Sequence, residues 1–440
     1  MSETRHIKVK ALTRVEGEGG LSVRMNGDVV EDVQLQIYEP PRFFEALLCD
    51  RPLEDVPDIT ARICGICPVA YQMSCVHAME AALGIEITSD IRRLRRLLYC
   101  GEWIESHALH MHLLHAPDFF GEHSGIDLAS RFPDEVNRGL QLKKHGNGML
   151  EVLGGRAIHP INVSVGGFFR APKRQELQTL IPSFEWGLQA AIEATQWVAG
   201  FEFPDFERDY EMVALSHPDE YPMNEGRIRS TSGLDISVDD YEQHFQEYQV
   251  SHSTALQSRQ LDDADSAETE NNGGWYHVGP LARVNLNRDQ LSDEARRVAD
   301  AIDFTTPCMN PFKAIIARGL EVIHAYEEGL SILRGYDTCK PSRIHYDYQN
   351  GAGSAATEAP RGLIFHRYEV NDDGKVIAAN IIPPTSQNQR QMEDDLRDFL
   401  PQIISPDDND TAMACERLIR SYDPCISCST HFLKLKIDRQ

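Results

Sequence analysis

The chain of 440 residues can bury a large core, and its 41% hydrophobic and 25% charged residues are the balance of a globular protein, not a fibrous or disordered one. A formal charge of −25 argues against nucleic acid or an anionic membrane as partner, since the field of the whole protein repels both. No basic segment followed by an apolar run opens the chain, and no stretch approaches the ~18 apolar residues of a membrane span; with ten scattered cysteines, this is the pattern expected in a reducing, cytoplasmic compartment.

In chain order, residues 6–38 read as a strand meander, "HIKVKAL", "LSVRM" and "VVEDVQLQIY", with Asn26-Gly27-Asp28 as a tight turn. Over 89–116, Ile91, Leu94, Leu98, Ile104, Ala108 and Leu109 recur at helical spacing, with Ser89 as cap and Pro117 as stop, which gives ~40 Å of helix. Further helices are predicted at 173–200 with a break at Pro182, and at 289–303, 311–335, 389–401 and 409–421. The polar stretch "LQSRQLDDADSAETENNGG", 256–274, reads as an acidic surface insertion. A β hairpin follows at 363–382, turning at Asn371-Asp372-Asp373-Gly374, and could pair with the first meander. The expected fold is mainly α with small β elements (α+β), one large domain over 1–440 with a helical-bundle core.

Two Cys-x-x-Cys pairs stand at opposite ends, Cys64/Cys67 in "RICGICPVAYQ" and Cys425/Cys428 in "DPCISCSTH". Together they offer four soft thiolate ligands, suited to zinc, iron–sulfur chemistry or nickel. A structural zinc site and a redox dithiol are the plainer alternatives. Structural zinc modules draw their pairs from nearby sequence, whereas nearly the whole chain lies between these. Four thiolates need cations or hydrogen-bond donors beside them, and Arg361 in "ATEAPRG", Thr385 and Ser386 in "PPTSQN", and Glu16 in "LTRVEGEGG" are polar residues in Pro- or Gly-bounded loops. Singly, each is ordinary loop chemistry.

Taken together, "TRVEG", "PPRFFEALL", "ARICGICPVA", "HAPDFF", "GGRAIHP", "EAPRG", "PPTSQN" and "DPCISCSTH" run in the order of a known family. The chain resembles the large, catalytic subunit of nickel–iron hydrogenases nearly end to end, most closely the cytoplasmic class linked to NAD(P). The resemblance implies reversible heterolytic cleavage of dihydrogen at a nickel–iron centre with carbon monoxide and cyanide on the iron. Cys64 and Cys425 would be terminal nickel ligands, and Cys67 and Cys428 would bridge the two metals. Arg361 and Pro360 would lie over the open metal position, with Asp118 and Asp423 completing a polar canopy. Thr385 and Ser386 would bond a cyanide, and Glu16 would be the first proton carrier beside Cys425. Glu45, His431 and the carbonyl of Ile381 resemble the ligands of a magnesium or similar ion. Splitting dihydrogen needs a Lewis-acidic metal for the hydride half and a base for the proton, and a cysteine sulfur can be that base.

Two positions depart from the family pattern: Tyr71 and Glu18 stand where many relatives have histidine, which affects the tuning of the centre but not its ligands. The other cysteines form no ferredoxin-like run, so electrons are expected to pass to an iron–sulfur small subunit and onward to FAD- and NAD(P)-binding diaphorase subunits. "GAGSAA", 351–356, nearly spells a dinucleotide fingerprint, but Pro360 follows where a helix should open. "HALHMHLLH", 107–115, lacks the carboxylate or cysteine partners of a metal site and reads as core or interface histidines. Residues 432–440 are either a peptide that a maturation endopeptidase removes or a plain extension. A hydrogen sensor and a structural zinc protein are the alternative functions.

Overall fold

The computed structural model describes residues 4–27, 29–40, 42–261 and 274–430. It opens with three antiparallel strands in spatial order, β1 (Thr4–Val9), β2 (Gly19–Asn26) and β3 (Val29–Ile37). Leu21 and Val23 of β2 sit opposite Leu35 and Val33 of β3, and all four are buried. Period-2 alternation thus gives the sheet one apolar face, which packs with Met392 and Leu396 in one core cluster.

The centre is helical: α1 (Pro68–Leu83), α2 (Ser89–Leu109), α3 (Pro133–Gly154), α4 (Ile181–Ala199) and α5 (Ala314–Gly335). Helix α2 lies against α3 and α5, and α5 against α4. Two glycines let α2 and α3 approach closely, since a Cβ at Gly146 would stand 2.6 Å from the Gly101 carbonyl oxygen. Helix α2 is buried along most of its length from Leu94 to Ala108, the charged Arg95, Arg96, Glu102 and Glu105 included. Its Arg95 bonds Glu80 of α1 through both terminal nitrogens, Nη1 at 2.7 Å, and buried charge is tolerated only when paired in this way.

The ends of that helix differ from the sequence expectation. The cap is Thr88, not Ser89: Thr88 Oγ1 accepts from the Ile91 amide at 3.3 Å. Nor does Pro117 stop the chain. The α-helical ladder gives way earlier, to a π-helical turn His110–His115, and Pro117 enters the first turn of a short helix, Ala116–Phe119, where its missing N–H costs nothing.

Late in the chain, β4 (Gly351–Ala359), β5 (Gly362–Val370) and β6 (Val376–Ile382) form a second antiparallel sheet, followed by α6 (Pro384–Ile403) and α7 (Asp408–Ser421). Among the described residues the two sheets do not pair. The glycines of "GAGSAA" serve packing in β4: a Cβ at Gly351 would lie 2.1 Å from the Ala82 carbonyl oxygen, and one at Gly353 2.3 Å from that of Ala78, so only glycine lets the strand lie on α1. The segment 256–274 is not a surface insertion throughout. Leu256–Gln260 is a strand paired with Phe245–Gln249, its first three residues buried; 262–273 lie outside the described residues.

The fold is mainly α with small sheets. Among the described residues no helix is long and apolar enough to cross a membrane. The largest apolar core runs from Leu48 to Cys428 and contains all four cysteines of the two pairs.

Candidate metal centre

The short helix Val56–Ala61 ends just before the first pair, and α1 begins just after it with Pro68 in its first turn. In the loop between, the Ile66 and Cys67 amides donate to Cys64 Sγ at 3.3 and 3.2 Å. Glu102 of α2 accepts from the Val69 and Ala70 amides at 2.6 and 3.0 Å, pinning the start of α1.

The second pair follows α7 through Asp423, which takes a left-handed φ of 56° and turns the chain inward. The segment is held from three sides. The Ile426 amide donates to the Glu16 carbonyl at 2.9 Å, the Cys425 amide to Thr385 Oγ1 at 3.0 Å, and Arg42 Nη2 to the Ser427 carbonyl. That same Arg42 nitrogen bonds the Ile63 carbonyl at 2.7 Å, so one guanidinium clasps both cysteine loops. Sequence reasoning assigned Arg42 no part, although it lies inside the quoted "PPRFFEALL".

All four Sγ atoms fall within 4.8 Å of one another, fully enclosed. Cys64 and Cys425 are 3.5 Å apart, Cys67 and Cys428 3.8 Å, and Cys425 and Cys428 2.8 Å. Burial alone would push the Cys64 thiol up, but hydrogen bonds from Cys425, Cys428 and Cys67 and the charge of Arg361 hold it well below the ordinary value. For Cys425, burial and the neighbouring sulfurs push the thiol up. A cluster that holds one thiolate and resists the next is the donor set a divalent cation relieves, because metal binding displaces the remaining protons.

Arg361 occupies the tip of a two-residue turn, with Ala359 paired to Gly362 across it. Its Nε donates to the Asp423 carbonyl at 2.7 Å and its Nη2 to Asp423 Oδ1 at 3.1 Å. Its Nη1 is buried with no hydrogen-bond partner among the described residues. Burial opposes the Arg361 charge, yet Asp423 and then Cys425, Cys67 and Cys64 outweigh it and keep the guanidinium protonated. The Asp423 carboxyl is pushed up by burial, against Arg361 and Arg318. The Pro360 carbonyl accepts from Arg283 Nη2 at 3.1 Å, which fixes the turn.

The other candidate residues divide. Glu16 Oε2 accepts from Cys425 Sγ at 3.0 Å. Thr385 and Ser386 begin α6, and Ser386 Oγ is buried without a partner among the described residues. Asp118 pairs with Arg14 at 2.5 Å and with Arg420 at 2.8 Å. Its hydrogen bonds are to those two residues, while Arg361 bonds Asp423. Glu45 Oε1 accepts from the Ile381 amide at 2.8 Å, so those two are neighbours, whereas His431 lies outside the described residues. Burial pushes the Tyr71 phenol far up, followed by the charges of Cys428, Cys67 and Cys425. Among the described residues, the remaining cysteines join no further group of this kind.

A buried cluster of four cysteines, with the Arg361–Asp423 pair beside it and a carboxylate on one sulfur, is a candidate metal centre. The comparisons with known proteins specify which. The nickel-dependent hydrogenase family matches residues 42–128 and 271–431. The chain is 32% identical over 433 residues to the sulfhydrogenase 1 alpha subunit of Pyrococcus furiosus, covering 98% of each chain. It is 26% identical to the beta subunit of the NAD-reducing hydrogenase HoxS of Cupriavidus necator, covering 98% of this chain and 95% of that one. An NAD+-reducing NiFe hydrogenase solved in its H2-reduced state superposes with a TM-score of 0.84 at 25% identity, over 98% of this chain and 100% of that one. This chain belongs to the nickel-dependent hydrogenase family. It is accordingly an oxidoreductase acting on dihydrogen; the family implies a nickel–iron centre, and the chain brings four cysteines together in one buried cluster.

Proposed function

We propose that this chain is the catalytic subunit of a cytoplasmic, NAD(P)-linked hydrogenase that cleaves dihydrogen reversibly and heterolytically, passing electrons to an iron–sulfur small subunit and onward to FAD- and NAD(P)-binding diaphorase subunits. The observation that carries the reading is the convergence of Cys64, Cys67, Cys425 and Cys428 within 4.8 Å inside the core. The nickel–iron pair, when bound, supplies the Lewis acidity that polarises dihydrogen, and its iron would carry carbon monoxide and cyanide. Cys64 and Cys425 would bind nickel alone, with Cys67 and Cys428 bridging.

The chain's own residues set the conditions for that chemistry. Cys425 Sγ takes the proton and Glu16, 3.0 Å away, removes it. Arg361 remains a cation and offsets the excess thiolate charge; as a guanidinium it is no base. Asp423 aims that guanidinium, and Pro360, tied to Arg283, fixes the turn from which it projects. Asp118 acts one layer out, holding Arg14 and Arg420. Thr385 Oγ1 accepts one hydrogen bond and keeps its own proton to give, and the Ser386 hydroxyl, without a partner among the described residues, offers a second donor; both suit a cyanide nitrogen. Glu45 and the Ile381 carbonyl, with His431, would hold a magnesium or similar ion.

Electrons need a way out, and this chain carries one cysteine cluster among its described residues. Exposed Ile161 and Phe169 line a groove of about 450 Å³ together with Ile59, Arg62, Glu54, Asp55 and Asp58, and Arg62 adjoins the Ile63-Cys64 loop. A groove of mixed apolar and charged lining beside the metal centre suits an iron–sulfur partner. Names such as "NAD-reducing" and "subunit" among the relatives support the same assembly.

Metal analysis with infrared spectroscopy on matured protein tests this reading. Nickel and iron together, with bands from carbon monoxide and cyanide, are expected; zinc alone without those bands would overturn it.

A further inference from the structure

The backbone leading to Arg361 is gripped at three successive carbonyls. Those of Glu358, Ala359 and Pro360 accept in turn from Trp103 Nε1 at 2.9 Å, Arg283 Nη1 at 2.9 Å and Arg283 Nη2 at 3.1 Å. Arg283 lies on the short helix Pro280–Asn287, and its other bonds run to Glu321 Oε1 at 2.6 Å, Glu321 Oε2 at 2.7 Å and Glu358 Oε2 at 3.0 Å. A guanidinium has five N–H donors, and here five acceptor atoms take them. We propose that Arg283 is a positioning residue of this enzyme: it sets where the Arg361 guanidinium stands relative to the four cysteines, and so governs the rate of dihydrogen cleavage without touching the reacting atoms. The inference rests on the hydrogenase reading and adds to it the group that holds Arg361 from behind.

Every member of the grip is itself held. The Arg283 Cζ lies 4.6 Å from the centre of the Trp103 ring. Glu321 of α5 meets His107 Nε2 at 2.9 Å and accepts from the Tyr221 hydroxyl at 2.7 Å, while Glu358 Oε1 accepts from the Leu215 amide at 2.7 Å. Burial opposes the Arg283 charge, but Glu321 and then Glu358 outweigh it and keep the group a cation.

Backbone also closes on backbone at this place. Gly279 and Gly362 take φ of 126° and 134°; a Cβ on Gly279 would stand 3.0 Å from the Arg361 carbonyl oxygen, and one on Gly362 2.8 Å from the Gly279 nitrogen. The Arg283 amide donates to the Gly279 carbonyl at 2.9 Å, so helix and turn move together. Buried ion pairs add little net stability beyond what apolar packing gives. Directed bonds concentrated on one turn therefore serve its geometry, and a misplacement of about 1 Å near a reacting centre costs about 100-fold in rate. Lysine at 283 would keep the charge but, as a single point of donors, could not span both carboxylates and both carbonyls.

The test compares wild type with Arg283→Lys in the assembled holoenzyme, with Gly146→Ala as a variant destabilised away from the turn. Arg283→Lys is expected to retain nickel and iron and to slow isotope exchange between D2 and water about 10- to 100-fold. It should also displace the carbon monoxide and cyanide bands and speed amide hydrogen exchange in the peptide 357–363. Gly146→Ala should leave the bands and that peptide as in wild type. In an Arg361→Lys background, Arg283→Lys should move the bands no further, because it acts through that side chain. Should Arg283→Lys not fold, Arg283→Gln/Glu321→Gln, which leaves no unpaired Glu321 charge, carries the same expectations. Wild-type bands and wild-type isotope exchange in whichever variant folds would overturn the positioning role and leave the hydrogenase reading standing. Bands that move equally far with and without Arg361 would do the same, and failure of both variants to fold would make the cluster structural and overturn the role. A wild type that itself lacks the bands and the isotope exchange would overturn the hydrogenase reading, and this role with it.

Discussion

The Sγ atoms of Cys64 and Cys425 stand 3.5 Å apart although 361 residues of chain separate them. Each pair alone offers two sulfurs, and the site exists only once both ends are seated. Cys64→Ser or Cys425→Ser should therefore lower nickel content more than the roughly 10- to 100-fold that losing an outer hydrogen-bond partner costs a metal site. Nickel and iron quantification on protein matured in its native host checks this.

Arg361 and Asp423 are both buried and bonded to each other. Arg361→Leu leaves a carboxylate without its main partner and should destabilise the protein by about 3–5 kcal/mol. The double variant Arg361→Leu/Asp423→Asn should recover much of that, since no orphaned charge remains. Thermal unfolding of the four proteins gives the coupling.

Tyr71 is buried with its phenol beside Cys428 and held protonated. Tyr71→Phe should retain both metals and shift the carbon monoxide stretch to lower frequency. On the proposed reading, in which Cys428 holds the iron, removing the phenol dipole beside the sulfur lets it give more electron density to the metal. An unchanged band would exclude the phenol as a tuning group.

His112 lies against Trp197, rings 5.8 Å apart and nearly parallel, with Nδ1 on the Ala108 carbonyl. Burial lowers its pKa from 6.5 to about 4. The unfolded chain thus binds a proton that the folded one refuses: the stability contribution is complete above pH 6.5 and is lost as pH falls toward 4. By pH 5 the loss is about 2 kcal/mol. His112→Gln cannot titrate, so its melting temperature should fall less than that of wild type between pH 7.5 and pH 5.

Gly146 marks where α2 and α3 nearly touch. Gly146→Ala would drive a methyl group into the Gly101 carbonyl and the Glu105 amide, both backbone atoms that cannot swing aside. Destabilisation of about 1–3 kcal/mol or more is expected, measured by denaturant unfolding. Gly148→Ala, in the same helix with nothing within 4 Å, is the control and should be neutral or slightly stabilising.

Particular residues show what could be read in advance. The strands of the first meander were legible because one face is buried, leaving a period of two in "LSVRM". Helix α1 was not, since nearly every side chain from Pro68 to Leu83 is buried and no polar face remains to give a period. The cap was assigned to Ser89 because either of two adjacent hydroxyl residues can cap, and local geometry chose Thr88. The glycines of "GAGSAA" had no visible purpose until the strand was seen lying on Ala78 and Ala82. Arg42 gave no signal beyond its place in a motif, because its partners, Ile63 and Ser427, are remote in sequence.

By itself the sequence determined which ligands this protein possesses: four soft sulfurs in two rigid spacings, with an arginine, two hydroxyls and a carboxylate in loops that proline and glycine stiffen. Those are properties of residue type and short-range geometry, and they survive in a string of letters. The tertiary structure decided which of these groups share a volume, placing Asp423 and not Asp118 on Arg361 and seating Glu16 on Cys425 and the Ser427 amide. Contacts of that kind depend on how distant segments pack and on which buried charges must be paired, and neither is written in any local stretch of chain.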